Sequence, residues 1–427
     1  MRSPVHVIAS AAALGLIVAV SACSSSSSSS PASSSPAGAT SSGSASAAGS
    51  SAATGSPVHI MVISTWNNPA VDFSPIYKGA EVAAAAVNKA GGIDGHKVVI
   101  DPCNDQFTSN AALACARAAV AEHALATVGD TSSFGDVINS VLVQAKIPAV
   151  GIEAESPVDW SSPAAFPLTD LLSWSQLMVV AHQQHISKVG WAYINSPGAQ
   201  GQELATESNT TGPLGISIVS SPAISITATN FTNYAEQLRS AGAQAVVLEL
   251  ATGQIPALIS AANSIGYHPV WLGTSMVVGP AGFKAMGSVA DGMNLAEQLP
   301  PATATAAYPG LQTWADQISA AGMSGVTNIN DAYAENSWLS VWAIKKFYDQ
   351  DMHGQTLTAP ALYGALASDT TKPVDLFGIL HWTPGATGPK GYGRDANSTF
   401  WIAHVANSAI VLNSPTPVDY FAAVGLK

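Results

Sequence analysis

The chain has 427 residues, 15 of them basic and 27 acidic, for a net charge of −12 at pH 7. Residues 1–56 contribute one charge, Arg2, so the rest of the chain carries −13. A surface this acidic excludes nucleic acid as a natural partner and gives no electrostatic reason to lie on an anionic membrane.

Arg2 is the only charge in the first ten residues, and 11–20 is almost wholly apolar. That run falls short of the about 20 residues a membrane-spanning helix needs. A charged start, a brief apolar core and small residues at the exit make 1–22 a secretory signal. Val20-Ser21-Ala22-Cys23 resembles the lipobox of bacterial lipoproteins. By that resemblance Cys23 becomes the mature N-terminus, carries lipid on its sulfur and anchors the chain outside the bacterial cell membrane. Stable attachment then takes more than one acyl chain. The other reading is an ordinary cleaved signal with an incidental cysteine.

Residues 24–56 contain only Ser, Ala, Gly, Pro and Thr. They cannot bury enough surface to offset chain entropy, so 23–56 reads as a flexible tether. With Cys23 assigned to lipid, Cys103 and Cys115 remain. An even pair in an exported chain implies a disulfide, and no His or acid nearby completes a zinc-like spacing.

From 57 onward apolar segments alternate with Gly and Pro turns. About 370 residues are too many for one small core, which implies two lobes. Strands are expected at 58–64, 97–103, 124–129 and 147–151. Helices at 76–90, 110–121 and 135–144 separate them, the first ended by Gly91-Gly92. Strands spaced by single helices imply right-handed crossovers and a parallel sheet. After a Pro- and Ser-rich break at 156–167 the rhythm restarts. Helices are expected at 173–185, 201–211, 233–241 and 254–265, and strands at 188–194, 216–219, 245–250 and 270–273. A turn followed by a long helix carrying Trp338 and Trp342 fills 327–347. The tail, 376–382 and 399–412, reads as strands that return across both lobes.

The first third resembles the branched-chain amino-acid (Leu/Ile/Val) binding protein family, the type I periplasmic-binding proteins of ATP-driven importers. The resemblance rests on Asn88-Lys-Ala-Gly-Gly-Ile-Asp-Gly95 before a strand and Asp105-Gln106 after it. Ala112-Leu-Ala-Cys-Ala-Arg117, Val128-Gly-Asp-Thr-Ser-Ser133 and Ile147-Pro-Ala-Val-Gly151 follow in the same order. Gln200-Gly201, 230–234 and 261–266 fit the second lobe more loosely. The resemblance covers most of 57–410. It implies an α/β fold of two Rossmann-like lobes with parallel sheets, joined by a three-segment hinge. Lobe 1 would hold 57–167 and 296–388, lobe 2 168–295 and 389–427, with ligand buried between them on closure.

Ligands of open α/β sheets sit beyond the carboxyl ends of strands. Thr131, Ser132 and Ser133 follow the third strand and open a helix, where hydroxyls and free N–H groups make an anion pocket. The resemblance implies a ligand carboxylate there; serine also favours a plain helix cap. Glu153 and Glu155 after the fourth strand depart from the family's small and hydroxyl residues, and either meet a cationic ligand group or face solvent. Trp66 and Phe73 after the first strand offer either an aromatic wall for a ligand body or core packing. In the second lobe Gln200, Glu249, Thr252, Thr274 and Ser275 follow strands. The family places an acid in this lobe for a ligand ammonium. Thr274-Ser275 stand at that place without one, and Glu249 substitutes if it does not point to the far side of its sheet.

No G-x-S-x-G elbow, HExxH or P-loop occurs, and no metal or cofactor is expected. His182 and His185 lie at a helix C-terminus, which suits cations without a metal. The reading is not an enzyme. It is a lipid-anchored extracytoplasmic solute-binding protein whose partners are a small-molecule ligand (an amino acid, an amide or a related carboxylate), an ABC permease and the membrane through its anchor. The alternative is a ligand-binding sensor that signals occupancy without transport. Cys23→Ala is expected to move the protein from the membrane pellet to the soluble fraction on cell fractionation; retention in the pellet contradicts the lipobox.

Overall fold

The computed structural model describes residues 53–426 except 69–70, 157, 170–172, 327–328 and 391. The leader, Cys23 and nearly all of the tether lie outside the described residues. Among those described, no helix is long and apolar enough to cross a membrane.

Strand β1 (Gly55–Ser64) is buried over its last five residues, the continuous apolar run of a strand covered on both faces. It lies inside a five-stranded sheet with β2 (His96–Asn104), β3 (Ala126–Val128), β4 (Ala149–Val150) and β5 (Ala165–Phe166), in the order β2-β1-β3-β4-β5. Every pairing is parallel. Helices α1 (Ser74–Lys89), α2 (Ser109–Ala121) and α3 (Gly135–Ala145) make the crossovers. A disulfide between Cys103 and Cys115, Cα atoms 5.6 Å apart, fastens the end of β2 to α2.

The second sheet begins after α4 (Ser173–Gln183) with β6 (Lys188–Ile194). Then come α5 (Pro197–Thr206), α6 (Gly212–Leu214), β7 (Ser217–Ser220), β8 (Ala223–Ile224) and α7 (Thr232–Ser240). Next are β9 (Ala245–Glu249), α8 (Gln254–Ser264), β10 (Val270–Gly273), α9 (Ser275–Met286) and β11 (Asn294–Glu297). The chain then goes back to the first core. Helices α10 (Gly310–Ala320), α11 (Ala332–Phe347) and α12 (Ala359–Ser368) and the hairpin β12 (Val374–Leu376)–β13 (Leu380–Trp382) supply Trp314, Trp338, Phe347, Leu362 and Trp382 to the cluster around Ile60 and Ile76. Ser337 Oγ donates to the Ile76 carbonyl at 2.5 Å, which locks α11 onto α1. The tail, β14 (Thr399–Ala406), β15 (Ala409–Leu412), β16 (Val418–Asp419) and α13 (Tyr420–Ala423), completes the second sheet.

That sheet is mixed, not parallel as expected. Its order is β15-β14-β11-β10-β9-β6-β7, and β14 runs antiparallel to β11, β15 and β16. The reason lies in the connection. β14 arrives from the first core without a crossover helix of its own, and it continues into β15 through a tight turn at Asn407 and Ser408, both at positive φ. Residues 376–382 likewise form two short antiparallel strands around Phe377 and Gly378, both at positive φ, not one strand. The helix expected from 201 begins at Pro197, because Ser196 Oγ accepts from the Ala199 N–H and sets the cap four residues earlier. The long helix begins at Ala332, where Asp331 caps it by accepting from the Ala334 N–H at 2.8 Å.

The first and third crossings between the sheets touch. Trp382 Nε1 donates to the Pro167 carbonyl and Asn397 Nδ2 to that of Leu168, each at 2.8 Å. The Arg394 guanidinium lies 4.3 Å from the centroid of the Phe166 ring. Replacing Cys103 and Cys115 together by alanine is expected to lower the unfolding free energy by about 3 kcal/mol in denaturant titrations. The native wild-type protein is expected to show no thiol that reacts at either position; an unchanged midpoint contradicts a bridge of structural weight.

Candidate functional site

Residues that follow strands of both sheets meet in one cavity of about 50 Å³. Phe73, Phe107, Ser133 and Glu155 come to it from the carboxyl side of β1, β2, β3 and β4; Ser196, Glu249 and Val277 come from the carboxyl side of β6, β9 and β10. Trp174, from the first turn of α4, closes another wall. Two larger hollows share its walls. One, of about 410 Å³, uses Phe107 and Ile194; the other, of about 230 Å³, uses Phe73 and Val277 and continues to Asp72, Asp331 and Tyr333. Among the described residues lining these three hollows there is no Lys, Arg or His.

The two sides are in contact. Gln202 Nε2 donates to the Ala154 carbonyl at 2.5 Å. A Cβ on Gly198 would lie 2.3 Å from the Glu155 carbonyl oxygen, so only glycine lets the start of α5 come so near.

The serine turn is arranged differently from an open anion pocket. Thr131 Oγ1 donates to the Gly129 carbonyl at 3.1 Å, and Ser132 Oγ donates to Asp105 at 2.5 Å. Only Ser133 lines the cavity. The carboxyl group beside the start of α3 is the chain's own. A Cβ on Gly135 would lie 2.3 Å from Asp159 Oδ1, and Asp159 also accepts from Asn139 Nδ2 at 2.6 Å and from the Ser156 N–H at 2.9 Å.

The other expected residues divide likewise. Trp66 packs against Tyr77, ring centroids 5.1 Å apart, and lines none of the three hollows. Phe73 lines the cavity with its ring edge-on to Tyr333 at 5.1 Å. Glu153 neither faces solvent nor lines these hollows; it is buried, and its Oε1 has no hydrogen-bond partner. Gln200 is exposed on α5, and Ser196 and Ala199 face the cavity in its stead. Thr252 donates to the Val277 carbonyl at 2.9 Å and lines the 230 Å³ hollow. Thr274 caps α9 by accepting from the Met276 N–H, and Ser275 gives both its N–H and its hydroxyl to Glu297. Glu249 points to the cleft. Its Oε2 accepts from Trp191 Nε1 at 2.7 Å, and its buried Oε1 has no partner. Of the two histidines, His182 Nδ1 pairs with the Leu214 carbonyl at 2.9 Å, and no cluster able to hold a metal occurs among the described residues.

Sequence reasoning missed Phe107, Trp174, Ser196 and Tyr333. Phe107 directly follows Asp105-Gln106, and that motif is its signal; Trp174 and Tyr333 sit at helix starts with no motif around them.

Burial dominates the electrostatics. It raises Glu155 to about 7, with Asp159 adding to the shift and the Tyr333 hydroxyl, 3.5 Å away, opposing it. It raises Glu249 well above the ordinary range, against the Trp191 hydrogen bond, with Glu155 adding. Asp130 and Asp159 reach about 7 and Asp331 about 8, desolvation again leading.

The family model described as periplasmic binding protein matches residues 64–408, and the chain belongs to that family. Its members bind ligands without transforming them. Solved structures share the fold at low identity. A branched-chain amino-acid ABC transporter protein from Thermus thermophilus, with bound valine, superposes with a TM-score of 0.71 at 15% identity, covering 86% of this chain and 98% of that one. A fatty acid ABC transporter substrate-binding protein from Thermomonospora curvata gives 0.71 at 15%, covering 86% and 94%. An ABC transporter substrate-binding protein from Aeropyrum pernix gives 0.70 at 17%, covering 86% and 98%. Among curated proteins none matches the chain in sequence.

The raised carboxyl groups fix a sign for the pH dependence of stability. Unfolded carboxyls titrate near 4, so between pH 5 and 8 the folded state holds protons that the unfolded state has released. The stabilisation is complete below that range and is lost as pH rises through 7 to 8, the values of Asp130, Asp159 and Asp331. The ligand-free protein is expected to melt at least about 3 °C higher at pH 5 than at pH 8 in calorimetry. A flat or opposite trend contradicts the burial of these acids.

Proposed function

We propose that this protein is the lipid-anchored, extracytoplasmic solute-binding component of an ABC importer, and that its solute is a small, largely apolar compound bearing a cationic nitrogen. Membership of the periplasmic binding protein family supports the capture role, and structural neighbours with ABC transporter in their names support the importer. Lobe 1 (57–167 and 296–388) and lobe 2 (168–295 and 389–427) pivot about the three crossings, and solute binding shifts the population toward closure. The lipid at Cys23 keeps the lobes beside their permease.

One observation carries the choice of solute. Glu155 and Glu249 approach a single cavity from opposite sheets, and no basic side chain is among the described residues that line it. Closure takes both carboxyls out of water, which only protons or a cationic guest can offset. The walls suit the guest: Phe73, Phe107 and Trp174 offer faces for an alkyl body and for an ammonium group above a ring. The helix start that would receive a ligand carboxylate already has Asp159 beside it, which disfavours a second anion there.

In titration calorimetry a panel of apolar primary amines is expected to bind, while carboxylates of the same skeleton do not. The heats are expected to change with the buffer's ionisation enthalpy, because an amine displaces protons from the raised carboxyls, and affinity is expected to rise from pH 5 to 8. Glu249→Gln is expected to weaken amine binding by about 10- to 100-fold, the loss of one charged hydrogen bond. Carboxylates that bind while amines do not would reverse the reading.

A further inference from the structure

A separate hollow of about 670 Å³ lies at the middle crossing and shares no lining residue with the three hollows of the cleft. Both halves of the molecule line it. Pro280 of α9 and Ile410 of the β14–β15 hairpin belong to the second sheet's side; Leu299, Pro301 and Trp314 belong to the segment that goes back to the first core. Most of the exposed wall is apolar, Lys284 and Asn330 are among its polar residues, and two buried polar groups in it are unsatisfied. Trp314 is fully buried and its Nε1–H has no acceptor; Glu335 is 2% exposed and its Oε1 has no donor.

Other indoles of the chain show how unusual that is. Trp191 donates to Glu249, Trp338 and Trp342 to Gln317, Trp382 to the Pro167 carbonyl and Trp401 to Tyr308. A buried donor and a buried acceptor left unmade in the wall of one roomy hollow is the pattern a ligand completes. Nearby Glu297 is not available for this, because both its oxygens accept from Ser275.

We propose that this hollow is a second small-molecule site, taking an uncharged, apolar compound with an amide-type group whose carbonyl accepts from Trp314 Nε1 and whose N–H donates to Glu335 Oε1. The donor–acceptor pair excludes a plain hydrocarbon, which satisfies neither group. A cation satisfies Glu335 alone and meets Lys284 on the same lining. Desolvation, with Asp331 adding, holds the Glu335 carboxyl well above its ordinary range, which weakens its pull on a cation. Because α9 also supplies Val277 to the cleft cavity, and because both halves line this hollow, an occupant favours the present arrangement of the lobes and so favours a solute in the cleft.

The probe is benzamide, titrated into the mature protein while the indole N–H resonances are followed by NMR, with the Trp314 signal assigned from Trp314→Phe. That signal is expected to move saturably with benzamide, and not with toluene or benzylammonium. Glu335→Leu is expected to weaken the response about tenfold, whereas Glu335→Gln, which keeps an acceptor, retains it. If Glu335→Leu does not fold, Ala302→Phe, which fills the hollow from its lining, gives the same test. A Trp314 resonance unmoved by benzamide overturns the proposal, as does an equal response to toluene or unchanged binding in the filled variant. Glu249→Gln, which acts only on the cleft, is expected to leave the Trp314 response intact, so this site and the reading of the cleft fail separately.

Discussion

A carboxyl group taken out of water without a cation must accept hydrogen bonds, hold a proton, or both. That constraint organises this molecule. Asp130 accepts from the Ile63 N–H and the Thr127 hydroxyl, which joins β1 to β3. Asp105 accepts from Thr65, Ser132 and the Phe107 N–H, which fixes the turns after β1, β2 and β3 to one another. Asp331 begins α11, and Glu297 holds the first turn of α9. Each acid stands where a strand ends or a helix starts, so the loops around the cleft are held by carboxyl groups and backbone N–H groups, with few basic side chains involved.

The same constraint separates structural acids from available ones. Asp105, Asp130, Asp159 and Asp331 have their hydrogen bonds inside the fold. Glu249 keeps one oxygen unpaired at the cavity, and Glu155 has only a long contact from Tyr333. An unpaired buried carboxyl is destabilising by itself, and on the proposed reading the cationic group of the solute completes it.

Much of the architecture is legible in the sequence, because local signals carry it. Gly91-Gly92 ends α1 at positive φ, Pro148 precedes β4, and the run from 188 to 194 gives β6 to the residue. The disulfide also follows from counting cysteines. What the sequence does not expose is set by contacts between distant residues. Ser132 looks like a ligand hydroxyl until Asp105, 27 residues away, accepts its hydrogen bond. Gln200 looks like a cleft residue until Ser196 starts the helix early, which turns Gln200 outward and Gln202 toward Ala154. α9 is interrupted by Gly279 at φ 64° and ψ 162° with Pro280 following, so no periodicity announces it. The antiparallel tail escapes for a similar reason: strand direction in a sheet is decided by where the chain comes from, and β14 comes from the other half of the molecule.

Asp159 ties these strands of argument together. It is brought to the start of α3 by the segment after β4, the same segment that carries Glu153 and Glu155. A helix start attracts an anion, and here the chain places one of its own carboxyl groups beside it. The dipole therefore acts on an internal carboxyl group, and the nearby Glu155 is raised further by that neighbour. On the proposed reading one short segment does two things: it removes the attraction for a ligand carboxylate, and it sets an acid in the cleft opposite Glu249. A fold shared with a valine-bound protein at 15% identity can then favour a different guest without any change of strand order, because the selection resides in which carboxyl group occupies the helix start and which is left without a partner.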